Sequence, residues 1–147
     1  MQGGTPLRRP LAALGDRIVE VDAEGTRVLV LREDAEDLAR REPSSVVRLL
    51  PGFDPCTLSV QREAEPLLPI ARRPLVSRTA GWISAVLLIG GRIEGTWTHE
   101  IRRGRLAIRV APWRGLSGAE RRAIDEEADR IGLFLDASPG VEVGPPG

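Results

Sequence analysis

Lysine is missing altogether: all 21 basic residues of this 147-residue chain are arginine. A GC-rich genome produces that bias. It also makes every cation a planar guanidinium, the group best shaped for bidentate phosphate contact. Cysteine occurs once, at Cys56, which excludes an internal disulfide framework and any multi-cysteine metal site. No apolar run approaches the 18 residues of a spanning helix; the longest, Ala85 to Ile89 with its neighbours, suits a buried strand. The N-terminal MQGGTPLRRPLAAL is basic but has no continuous apolar stretch of the kind a signal peptide carries, so a cytoplasmic protein with no membrane contact is expected.

Catalytic motifs are equally scarce. There is no Gly-x-Ser-x-Gly and no phosphate-binding glycine loop. His99 is the only histidine, and its place in an alternating strand predicts a partly buried structural residue. Cys56 reads as an inert buried thiol. Glu126 and Glu127 read as a solvated acidic helix face. No metal and no cofactor is expected.

Charge is present but unevenly placed. Residues 1–42 hold 7 Arg against 9 acids, residues 43–115 hold 11 against 5, and residues 116–147 hold 3 against 7. A net charge of zero therefore hides a basic middle, the electrostatic footprint that nucleic-acid binding needs. A length of 147 residues with 41% hydrophobic composition can bury a core and suits one domain or slightly more.

Residues 1–16, with Gly3, Gly4, Pro6 and Pro10, read as a flexible N-terminus. Ile18 to Val21 and Val28 to Leu31 flank a polar turn at Gly25 and predict a β-hairpin. A short helix is expected over Glu33 to Arg41, acidic first and basic last, ended by Pro43. VVRLL predicts a strand over 46–50 that "PGFDP" must end. In that elbow Phe53 is expected to plug the core and Asp54 to brace the turn. Asp54, between two prolines, is also the one weak catalytic candidate.

Residues 57–80 read as loop with a short helical piece. AVLLI, Gly90-Gly91 and RIEGTW form a two-residue hairpin, with Ile93, Gly95, Trp97 and Ile101 expected on one face. A turn at Arg103-Gly104 adds RLAIRV, completing a three-stranded antiparallel meander. Ser117 and Glu120 make a capping box for a last helix whose stripe is Ala123, Ile124, Ala128, Ile131 and Leu135. Residues 137–147 are expected to be disordered.

In order along the chain, VRLLPGFDP, an arginine-rich connection, GWISAVLLIGGRIEGTW and RRGRLAIRVAPWRGLSGAERRAIDEEADRIGLFL resemble the C-terminal part of the bacterial winged helix DNA-binding domain proteins. That family includes the AlkZ-like DNA glycosylases, which unhook interstrand crosslinks and remove alkylated bases. The resemblance covers roughly Arg17 to Leu135. It implies an α+β chain: residues 17–42 as the end of a winged-helix unit with its hairpin as wing, and residues 43–136 as a small antiparallel β-barrel-like module with a closing helix. Members of that family are more than twice as long, and carry a Gln-apolar-Gln catalytic signature in their N-terminal part. Here only Gln2 and Gln61 occur, neither in such a motif, and Cys56 stands where an aromatic is expected.

The reading is a DNA-binding module, non-catalytic by itself. Duplex DNA is its expected partner, with Arg92, Arg102, Arg103, Arg105 and Arg109 on phosphates and Arg72, Arg73 and Arg78 extending the patch. Two alternatives stay open: the second half of a split alkylated-base or crosslink glycosylase, completed by a partner chain with the missing winged-helix units, and a protein-interaction or homodimerisation domain.

Overall fold

The structure is a computed structural model that describes residues 8–23, 25–42, 44–59, 65–78 and 81–147. The chain divides into two compact units, Met1–Pro43 and Ser44–Gly147.

In the first unit, α1 (Arg8–Leu14) leads through a 3-10 turn into β1 (Ile18–Ala23) and β2 (Thr26–Leu31), and α2 (Arg32–Arg40) follows. Residues 8–14 were expected to be loose and are helical instead. Arg, Leu and Ala favour the helix, and Pro10 falls in its first turn, where a missing N–H costs nothing. The hairpin register runs from Ile18↔Leu31 to Ala23↔Thr26, and Asp22 Oδ1 accepts from the Gly25 N–H at 2.7 Å in the turn. None of this unit's described residues reaches full burial, and Leu29 and Leu38 are 51% and 53% exposed.

The second unit is α+β: a five-stranded sheet curled into a half-barrel, with a long helix near its C-terminus. Its strands are β3 (Val47–Leu50), β4 (Val86–Ile89), β5 (Arg92–Arg102), β6 (Arg105–Pro112) and β7 (Ser138–Val143), in that spatial order. The short helices α3 (Pro55–Ser59) and α4 (Arg73–Val76) lie between β3 and β4, and α5 (Gly118–Leu135) lies between β6 and β7. β3 to β6 pair antiparallel, while β7 joins β6 in parallel through the α5 crossover that such pairing requires.

α5 packs against β3 and β7, the two edges, and closes the concave side. Its Ile124 packs there on Val47, Leu49, Leu87, Trp97 and Ile108 of the sheet. A second cluster, Leu68, Val76, Val86 and Ile93, covers the outer face of β3 to β5. β4 is thus buried on both faces, which explains its unbroken apolar run.

Four expectations fail here, each for a visible reason. The supposedly disordered tail contains β7. Pro139 is tolerated because this strand is an edge, and Val141 and Val143 pack against the concave core. Ile93 does not share a face with Trp97. The ladder pairs Leu87↔Gly95 but Leu88↔Ile93, so Glu94 is an extra residue that turns the strand over.

Phe53 is not a core plug. It is 47% exposed at φ 61°, its ring edge-to-face with the ring of Trp82 at 5.3 Å. A Cβ on Gly52 would lie 3.0 Å from the Ile83 carbonyl oxygen, so the glycine serves close approach and the positive φ falls on its neighbour. Glu127 is buried at 7% exposure rather than solvated. Its carboxylate accepts from Arg48 Nη1 at 3.2 Å, from Arg130 Nη1 and, at 3.4 Å, from the Leu49 N–H on the edge strand.

Candidate nucleic-acid interface

The β5–β6 hairpin turns over Arg103 and Gly104, at φ 51° and 73°. Positive φ at both central residues is the geometry that continues the natural strand twist through a two-residue loop. Arg102 and Arg105 pair across its base. The whole arginine cluster is therefore fixed on a rigid ladder: Leu106 and Ile108 on β6 are each 1% exposed, while Thr98 to Arg102 on β5 are all solvent-facing.

The arginines differ in what holds them. Arg102 pairs with Glu100 at 2.6 Å and Arg109 with Glu142 at 3.5 Å, both at exposed positions where such pairs are weak. Arg103 and Arg105 are exposed with no carboxylate partner among the described residues. They are the charges most available to an anion.

Arg92 lies at the other end of β5, ten strand rises or roughly 33 Å from the tip. Its Nη1 donates to the Pro66 carbonyl at 2.6 Å, tying the preceding loop to the strand. Arg72 stacks over the Trp113 ring at 5.5 Å and donates to the Gly147 carbonyl at 2.9 Å. Arg73 is half-buried beside a cavity, and Arg78 is exposed. The eight sequence candidates thus separate: Arg102, Arg103, Arg105 and Arg109 share one hairpin, and Arg72 and Arg92 serve as anchors elsewhere.

Arg114, which the sequence reading did not single out, makes the densest ion network. It holds Glu120 through both Nη atoms at 2.8 and 3.2 Å and Glu94 at 3.3 Å. Glu120 also accepts from the Ser117 N–H, completing the expected capping box. The Arg114 hydrogen bonds, then the Ser117 N–H, pull the Glu120 carboxyl down to about 2. This cluster locks α5 to the bulge in β5 and leaves no free charge for a ligand.

Asp54 is a helix cap. Its Oδ1 accepts from the Cys56 N–H at 2.8 Å and its carbonyl from the Leu58 N–H at 2.9 Å, at the start of α3. Cys56, expected to be buried, and His99, expected to be partly buried, are both exposed. β5 runs past the cover of the core after Trp97, so His99 lies against the Trp97 ring at 5.3 Å in the open. Among the described residues no three His, Cys, Asp or Glu side chains converge as a metal site would need, and no helix is long and apolar enough to cross a membrane.

Comparison with known proteins gives one consistent answer. A family model described as DNA glycosylase AlkZ-like matches residues 3–134. An interstrand DNA cross-link repair glycosylase of Streptomyces sahachiroi is 38% identical over 125 residues, 85% of this chain and 33% of that protein. The solved structure of the Streptomyces sahachiroi DNA glycosylase AlkZ superposes with a TM-score of 0.79 at 34% identity, covering 97% of this chain and 38% of the other. The chain spans about a third of the length of the relatives it matches.

Proposed function

The chain belongs to the AlkZ-like DNA glycosylase family, and on that premise we propose that it is a duplex-DNA-binding module that does not excise bases by itself. The observation that carries this reading is the hairpin tip. Arg103 and Arg105 stand exposed on a rigid turn with no carboxylate partner among the described residues, and Arg102 and Arg109 lie beside them in weak surface pairs. Guanidinium groups so placed rest on phosphates or enter a groove. On this reading the protein works in the cytoplasm, on chromosomal DNA.

Excision needs a group that activates or positions water at the sugar. Asp54, the one carboxylate considered for that task, is engaged as a cap. The Gln-apolar-Gln signature that the resemblance implies does not occur in these 147 residues.

The test is binding to duplex DNA over a salt series. Affinity should fall steeply with salt, and R103E/R105E should lower it and flatten the salt slope by about two phosphate contacts. Absence of salt-sensitive binding at low ionic strength refutes the reading. Incubation with alkylated or crosslinked DNA should leave it intact.

A second reading has its own support. A hairpin plus helix without one fully buried residue among those described does not stand alone. We infer that the Met1–Pro43 unit is the end of a winged-helix unit and that further polypeptide covers it, whether a partner chain or a second copy. Light scattering on the isolated chain separates these: a dimer favours the second copy, and a stable monomer with a fully protected β1–β2 hairpin overturns both.

A further inference from the structure

We propose that Phe53 and Trp82 form a stacking platform for an unpaired nucleobase. This deepens the DNA-binding reading and rests on it. A bulky residue at φ 61° is a backbone outlier, and such strain persists only where the surroundings enforce it. A phenylalanine held in this way would ordinarily offset the cost by burial, yet Phe53 is 47% exposed and Trp82 57% exposed. The two rings meet edge to face at 5.3 Å and 80°, an arrangement that fixes both while leaving ring surface open to solvent.

Arg78 is tied to the platform by its backbone N–H, which donates to the Trp82 carbonyl at 2.8 Å. Its own side chain is exposed with no carboxylate partner among the described residues. Aromatic rings with an adjacent guanidinium are the combination by which proteins hold single-stranded nucleic acid. Two half-exposed rings are also a small surface beside the ~800 Å² per partner of a stable protein interface.

The experiment measures affinities of the full chain for a perfect duplex, the same duplex with a one-base bulge, and a single strand. The bulged and single-stranded probes should bind about tenfold tighter than the duplex, and should quench tryptophan emission. Trp82→Leu should erase both the preference and the quenching, and Trp82→Phe should keep most of the preference. R103E/R105E should weaken all three probes alike. Trp82 is exposed, so Trp82→Leu is expected to fold; if it does not, Phe53→Leu serves the same comparison. Wild-type preference in Trp82→Leu, or equal binding of bulged and perfect duplex, overturns this inference and leaves duplex binding standing. Failure to bind any probe at low salt overturns both.

Discussion

Replacing Glu127 by alanine should be among the most damaging single changes on α5. The side chain is 7% exposed, and its two oxygens collect Arg48, Arg130 and the Leu49 N–H. Removing one member of a fully buried charged network costs about 3–5 kcal/mol. Here the arginines are 42% and 65% exposed, so water recovers part of their solvation, and the 3.4 Å bond to Leu49 is weak. A loss of about 2 kcal/mol remains, mostly from the uncovered N–H of β3 and the stranded Arg48. For a unit of this size that lowers Tm by roughly 8–15 °C. Glu127→Gln keeps the shape and one acceptor and should lose about half as much. Glu126→Ala, on the exposed side of the same helix, should stay within about 0.5 kcal/mol of wild type. The measurement is thermal unfolding of the three variants side by side. If Glu127→Ala unfolds within a degree or two of Glu126→Ala, the carboxylate does not brace the sheet edge.

Glu120 gives a pH signature. Its carboxyl sits near 2 in the folded chain against an ordinary 4.5, so its stabilisation is complete above about pH 4.5 and is lost as pH falls from there toward 2. At the partly exposed site the loss should be on the order of 2 kcal/mol, and Glu120→Gln should flatten denaturant-melt stability across that window. Phe53→Ala should cost about 1 kcal/mol, the worth of an aromatic pair, rather than the ~3–5 of a buried ring; a larger loss in urea unfolding would return Phe53 to the core.

The parts of the fold visible in the sequence were those where local chemistry and tertiary placement agree. Gly90-Gly91 and Arg103-Gly104 mark their turns unambiguously, and Ser117 with Glu120 fixes the start of α5. What stayed hidden depends on distant partners. Ile93-Gly95-Trp97 alternates flawlessly, so nothing local reveals that Glu94 bulges out of register. Pro139 and Gly140 read as breakers until β6 supplies a partner and the edge excuses the proline. Glu127 looked solvated beside Glu126, although its spacing of three from Ile124 and four from Ile131 placed it on the buried stripe. That spacing was the signal available. Among the arginines, type and position identified the hairpin, but composition cannot tell a free guanidinium such as Arg103 from a committed one such as Arg72.

The Glu94 bulge makes β5 sensitive to length in an unusual way. Deleting one residue there would restore a perfectly regular ladder, and a sequence comparison would score it as a trivial gap. Yet every side chain on the N-terminal side of the gap would exchange inside for outside. Ile93 would swing toward the concave core and Arg92 into the greasy layer over Leu68 and Val76, while Trp113 would lose the carbonyl that now accepts its N–H. The extra residue works as a phase shifter: it lets one continuous strand serve two hydrophobic layers that would otherwise demand opposite spellings of the same segment.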